Sequence, residues 1–274
     1  MIRQKNKIAA VQMASSPNLG ANLQEAKRLI AEAARLGAQL VVLPENFAFM
    51  GKHERDLLDH REEEGGGPLQ EFLSQAARRH GLWLVGGTIP MRARVEDKVR
   101  AACLVFDDQG RQVGRYDKIH LFDVHLLQTD EHYTESAVIE SGSRTLTLET
   151  PFGRLGLAIC YDLRFPELFR RLLDEGVELI AMPAAFTAVT GKAHWEVLLR
   201  ARAIENLSYF VAAAQGGYHR SGRQTFGHSM VVDPWGNVLA KLARGAGVVC
   251  AEYDPDCLRN IRRAFPTIDH RRLT

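Results

Sequence analysis

Residues 22–46 read NLQEAKRLIAEAARLGAQLVVLPEN. Apolar residues recur every three or four positions as far as Leu36, the spacing of an amphipathic helix. Gly37 stops it, because glycine adopts the left-handed backbone that ends helices. The run LVVL (40–43) is apolar on consecutive positions and closes at Pro44, which predicts a short strand covered on both faces. The same helix–stop–strand unit recurs in LQEFLSQAARRHGLWLVGGTI (69–89), with Gly81 as the stop. It recurs again in PELFRRLLDEGVELIAMPAAF (166–186), where Pro166 opens the helix, Gly176 ends it and the strand runs from Glu178 to Pro183. A fourth unit, AHWEVLLRARAIENLSYFVAAAQ (193–215), is helix then strand, with Asn206 near the helix end. Hairpins are predicted around Asp108–Gly110 and around Asp233–Gly236. Strands alternating with helices, plus hairpins, give an α/β layered fold.

The 274 residues carry 35 basic and 33 acidic side chains, and 46% are hydrophobic, enough for one large domain spanning residues 1–274. No long basic run exists, so neither nucleic acid nor an anionic membrane is an expected partner. The first residues lack the apolar stretch of a signal peptide, and no apolar run is long enough to span a bilayer. Cys103, Cys160, Cys250 and Cys257 form no CxxC pair or compact metal spacing. A cytoplasmic protein with reduced thiols is expected, without metal or organic cofactor. Cys103 and Cys250 sit inside apolar runs and read as core residues. REEEGGGP (61–68) reads as a mobile surface loop whose three glutamates are solvated.

Three reactive residues fall at predicted strand ends: Glu45 after LVVLP, Lys118 in YDKIHL, and Cys160 in LAICYD. In open α/β sheets, ligands gather beyond the carboxyl ends of strands. A thiol must lose its proton before it attacks a carbonyl, and a partly buried carboxylate can take that proton and return it. An ammonium, with the Tyr161 N–H as a second donor, can hold the oxyanion. Taken singly, each also has a plain structural reading as a core thiol, a loop glutamate or a solvated lysine. A cysteine–histidine pair using His120 is an alternative; as a core or supporting histidine it has no chemistry to do.

LVVLPEN (40–46), YDKIHLFDV (116–124) and GLAICYDLRFPEL (156–168) resemble, in order, the Glu, Lys and Cys motifs of the nitrilase superfamily of carbon–nitrogen hydrolases. TGKAHWEVLLRARAIEN (190–206), FGHSMVVDPWGN (226–237) and FPTIDHRR (265–272) are similar to its Nit branch of small amidases, and more to deaminated glutathione amidases than to ω-amidases. The resemblance implies a four-layer αββα sandwich and a homodimer or higher homo-oligomer, paired through the helices after Cys160 and after His194. It implies a second glutamate, here Glu135 in YTESAV, that orients Lys118. It implies hydrolysis of a small-molecule amide through a thioester: deaminated glutathione first, 2-oxoglutaramate or another ω-amide second, a nitrile third. A catalytically idle scaffold is disfavoured because all three reactive residues are retained.

For the substrate, Arg164 can grip a carboxylate with two parallel bonds, or pair structurally with Asp162 or Glu167. Thr187 and Thr190 can donate hydrogen bonds, and Phe49 and Phe186 can wall the pocket; all four equally suit ordinary packing. His194 and Trp195 read as packing or capping residues at a helix start. Two departures from the family pattern bear on the pocket entrance: Lys192 stands where relatives carry proline, and HLLQTDEHYTES (125–136) lacks their Pro–Gly.

Overall fold

Along the strand Asn6–Gln12, Ile8 and Ala10 enter one core while Ala9 and Val11 enter another. Ala38–Val42 behaves alike, with Leu40 and Val42 on one side and Val41 on the other. Successive strand residues point to opposite faces, so this sheet is covered on both. The protein is seen in a computed structural model that describes residues 6–127 and 130–273. The first face meets a second sheet through Leu155, Leu157 and Ile180. The opposite face carries the helices Leu19–Arg35 and Pro68–His80, docked through Leu29, Ile30, Leu69 and Leu73. Beyond the second sheet lie the helices Pro166–Asp174 and Glu196–Asn206, anchored by Phe169, Leu172, Leu199 and Ala203. Helix, sheet, sheet and helix form the expected αββα sandwich.

Among the described residues the first sheet has seven strands and the second has six. At the centre of the first, Asn6–Gln12, Ala38–Val42 and Trp83–Val85 run parallel. At the centre of the second, Gly153–Leu157, Leu179–Ala184 and Tyr209–Ala214 do likewise. Antiparallel strands flank both trios, including Val99–Phe106 with Gln112–Asp117 and Ser229–Val232 with Val238–Leu242, the two expected hairpins. A bridge from Met13 to Gln215 ties the two sheets together where two central strands end. Close approach is enforced at Gly87, which has φ 60°; a Cβ there would stand 2.2 Å from the Pro44 carbonyl oxygen.

The helix–strand units hold with small shifts. Leu19–Arg35 begins earlier than its apolar repeat suggests, capped by Asn18, whose Oδ1 accepts the Ala21 N–H at 3.0 Å. Gly81 takes the left-handed form at φ 59°. The helix before the strand Tyr209–Ala214 starts at Ala188, not at Ala193, and passes through a π-helical turn, Gly191–Trp195, before Glu196–Asn206. Trp195 is fully buried and its indole donates to the His228 carbonyl oxygen at 2.9 Å, whereas His194 is exposed. Cys103 is a core residue as expected, but Cys250 is only half-buried. Among the described residues no helix is long and apolar enough to cross a membrane.

The segment 61–68 departs from expectation at Glu62, which is buried. Its carboxylate accepts the N–H groups of Leu69 at 2.5 Å and Gln70 at 3.1 Å, and the Gln70 side-chain amide at 3.0 Å. A carboxylate here satisfies N–H groups that the first turn of Pro68–His80 leaves unpaired and favours the helix dipole. Glu63 and Glu64 do lie at the surface, paired with Arg92 and Arg115. Glu62→Ala is expected to lower unfolding stability by about 1–3 kcal/mol. Urea denaturation checks this; an unchanged midpoint would mean the cap contributes nothing.

Candidate active site

Parallel central strands deliver their carboxyl ends to one edge of the sandwich. Glu45 follows Ala38–Val42, Cys160 follows Gly153–Leu157, and Thr187 follows Leu179–Ala184. Lys118 directly follows the hairpin strand Gln112–Asp117. All four side chains line one pocket of about 410 Å³. The Lys118 ammonium, 1% exposed, donates to Glu45 Oε1 at 2.8 Å and to Glu135 Oε1 at 2.7 Å. The other Glu135 oxygen accepts the Phe122 N–H at 2.6 Å. Glu135 thus reaches Lys118 despite the atypical 125–136 segment, in which Asp123–Leu126 and Glu131–Thr134 form a hairpin. Gln128 and Thr129 of that segment lie outside the described residues.

Cys160 opens a helical turn, Cys160–Arg164, with φ 49°. A side chain at positive φ is strained, and such strain persists only where neighbours impose it. Asp162 imposes it here. Fully buried, it accepts the Ile159 N–H at 2.8 Å, the Tyr116 hydroxyl at 2.7 Å and the His120 N–H at 3.0 Å. The His120 ring also bonds Asp162, at 2.7 Å, and stacks on Phe165, so it supports this turn rather than facing the pocket. Tyr161 lines the pocket, and early in a helical turn its N–H has no intrahelical partner. Glu45 is held from behind: Gln215 Nε2 donates to its carbonyl oxygen at 3.0 Å and to Ser15 Oγ at 2.8 Å.

Burial pushes the Cys160 thiol well up, and the Glu45 carboxylate, hydrogen-bonded to it, adds to this; Lys118 and the Ala185 N–H pull the other way. Burial thus disfavours a free thiolate in the resting site. Burial alone would discharge Lys118, but the charges of Glu135 and then Glu45 outweigh it and hold the ammonium above its usual range. Burial raises Glu135, opposed by Lys118 and reinforced by Glu45. The arrangement can pass one proton between sulfur and carboxylate beside a fixed cation.

Of the residues expected to meet substrate, Arg164, Phe186, Thr187 and Thr190 line the pocket. Arg164 pairs with neither Asp162 nor Glu167; its guanidinium lies 5.2 Å from the Phe186 ring centre and 3.2 Å from His194 Nδ1. Thr187 and Thr190 bond each other, at 2.8 Å between hydroxyls. Phe49 is not in the pocket: it packs on His60, ring centres 4.1 Å apart, beside an outer cleft. Lys192 is exposed on the π turn and is absent from the lining. Sequence reasoning missed Glu54 and Arg223, which border both pocket and outer cleft. Burial, then the charge of Glu135, raises the Glu54 carboxyl, with Arg223 opposing. No motif marks either residue. Among the described residues the potential metal ligands that gather are His125, Asp130 and His132, exposed on the 123–134 hairpin and outside the pocket lining.

Lys118→Met removes the largest influence that keeps the Glu135 pKa down. With that pKa higher in the folded state than in the unfolded chain, stability is greatest in acid and is lost as pH rises through the folded value. The variant is expected to lose about 3–5 kcal/mol near neutral pH and less near pH ~4.5, measured by denaturation at both. An equal deficit at both would show that Lys118 does not compensate buried charge.

The description "Carbon-nitrogen hydrolase" fits residues 7–263. A Synechocystis protein named deaminated glutathione amidase is 44% identical over 266 residues, which is 96% of this chain and 97% of that one. The NitFhit protein of Caenorhabditis elegans superposes with a TM-score of 0.90 at 38% identity, over 99% of this chain and 66% of its own. An amidase from Nesterenkonia sp. AN1 superposes with a TM-score of 0.79 at 26% identity, over 96% of this chain and 98% of its own. That structure is of a mutant of the amidase and shows the result of Michael addition of acrylamide at its active-site cysteine. On this full-length likeness in sequence and in fold, the chain belongs to the carbon–nitrogen hydrolase family and is an amide-hydrolysing enzyme.

Proposed function

We propose that this enzyme cleaves deaminated glutathione to 2-oxoglutarate and cysteinylglycine through a thioester on Cys160. The observation that carries the chemistry is the Lys118 ammonium held by Glu45 and Glu135 in the pocket that Cys160 lines. The substrate reading is supported by the name of the Synechocystis relative and by Arg164, a cation in the pocket suited to a 2-oxo acid carboxylate.

Glu45 takes the Sγ proton as sulfur bonds to the amide carbon and the carbonyl electron pair moves onto oxygen. The Lys118 ammonium and the Tyr161 N–H hold that oxygen. Glu45 gives the proton to nitrogen as the C–N bond breaks, and cysteinylglycine departs. Water then yields a proton to Glu45 and adds to the thioester. Collapse expels the sulfur, which recovers the proton from Glu45 as 2-oxoglutarate leaves. Glu135 aims Lys118 throughout. Because burial disfavours a free thiolate, proton transfer to Glu45 accompanies attack, unlike in a preformed thiolate site.

The oligomer belongs to the same reading: a homodimer paired through the outer helices Pro166–Asp174 and Glu196–Asn206. Val197 and Ile204 stand 62% and 45% exposed on the second, an apolar pair suited to burial against a copy of itself. Four unpaired cysteines suit a cytoplasmic, reducing location.

Cys160→Ala is expected to lose roughly a thousandfold or more in turnover with its thermal midpoint retained. Wild-type enzyme given deaminated glutathione, 2-oxoglutaramate and a matched nitrile is expected to favour the first. Mass spectrometry of quenched turnover is expected to find a 2-oxoglutaryl adduct on Cys160. Full activity in Cys160→Ala would remove the mechanism; a large preference for 2-oxoglutaramate would replace the substrate.

A further inference from the structure

Two guanidinium groups border the pocket, those of Arg164 and Arg223, and among the described residues the hydrogen-bond partners they have are His194 and the Ala185 carbonyl oxygen, not carboxylates. Arg164 borders the inner pocket alone, whereas Arg223 borders both that pocket and the outer cleft. Arg223 therefore stands where a molecule longer than the acyl group must emerge. The hairpin that carries it, Gly216–Tyr218 with Gln224–Phe226, is pinned from below. His219 is buried, with Nδ1 2.8 Å from the Ser15 carbonyl oxygen and Nε2 2.7 Å from Thr225 Oγ1, and its N–H donates to the Arg223 carbonyl oxygen at 2.9 Å. The guanidinium is pinned too. One Nη2 donates to the Ala185 carbonyl oxygen at 2.7 Å, and the group lies 5.2 Å from the Tyr133 ring centre. Yet among the described residues the Nε atom is buried without a hydrogen-bond partner.

An arginine presents five N–H donors in a fixed fork, and a buried donor left unpaired is costly. A fork held in place with donors unused is prepared for a planar anion. We propose that Arg223, backed by Tyr133, forms a second anion subsite that takes a terminal carboxylate on the amine leaving group. The preferred amide then joins two acids: Arg164 receives the carboxylate of the acyl part and Arg223 that of the amine part. This rests on the reading of deaminated glutathione as substrate, whose 2-oxo acid and terminal glycine supply those two groups. An amide whose leaving group is ammonia fills one subsite only. Glu54 borders the same pocket, and burial raises its carboxyl, which weakens its hold on the guanidinium.

The test compares wild type, Arg223→Gln and Arg223→Lys on three substrates: deaminated glutathione, the same molecule with its terminal glycine as the primary amide, and 2-oxoglutaramate. Wild type is expected to favour the free acid over the glycinamide form about tenfold or more in kcat/KM. In Arg223→Gln that preference is expected to vanish through KM, with kcat and the rate on 2-oxoglutaramate little changed. Arg223→Lys should keep part of it, since charge remains but the fork is lost. Equal wild-type rates on acid and glycinamide would overturn the subsite, as would equal losses on all three substrates in Arg223→Gln, which would mark a purely structural tie to Ala185. Failure of wild type to cleave either deaminated glutathione form would instead overturn the substrate reading beneath it.

Discussion

An ammonium in the interior of a protein is tolerable only with anions beside it, and the site is arranged around that constraint. Lys118 reaches two carboxylates and is almost wholly out of water. Removing either charge from a buried set is costly, so the three side chains hold one another in position and ionisation state. One negative charge remains in excess, which makes a second anion on sulfur unwelcome. In the proposed reaction the excess charge is not increased: as the proton moves from sulfur to Glu45, the negative charge moves a few ångströms toward the substrate carbon. The cation stays where the oxyanion will form, so little reorganisation accompanies the charge movement.

The rest of the fold keeps those groups in register. Asp162 gathers the Cys160 turn, the Gln112–Asp117 strand through Tyr116, and the following segment through His120. Gln215 gathers the ends of both sheets at Ser15 and Glu45. Both are fully buried polar side chains, and each joins segments that are distant along the chain. Neither substitutes for the apolar cores, which set the layer spacing; they fix how the strand ends meet.

The layers were legible in sequence because they arise from local periodicity. Helical repeats, glycine stops and consecutive apolar runs report which faces are covered, and Leu40–Leu43 and Leu179–Met182 gave that directly. Glu45, Lys118 and Cys160 were legible as strand-end residues and as matches to family motifs, and they meet in one pocket. What was hidden depends on contacts distant in sequence or on irregular backbone. Glu62 looks identical to Glu63 and Glu64 until the chain folds it back over Leu69 and Gln70. Phe49 follows the Glu45 strand end, but the left-handed Asn46 redirects the chain before it can wall the pocket. Arg223 sits in a polar hairpin that nothing local distinguishes, and the π turn has no signature in the 190–206 repeat.

In the proposed reaction the left-handed backbone at Cys160 also limits which side chains could replace the attacking one. Branching at the β-carbon crowds a residue already at φ 49°, so threonine, a competent attacking group in other hydrolases, is a poor tenant here. Serine fits the space but brings a less acidic hydroxyl to a carboxylate already shared with Lys118. Geometry and acidity together favour sulfur in the proposed reaction, and the burial that disfavours its thiolate also shields it from oxidants and soft electrophiles until a substrate enters.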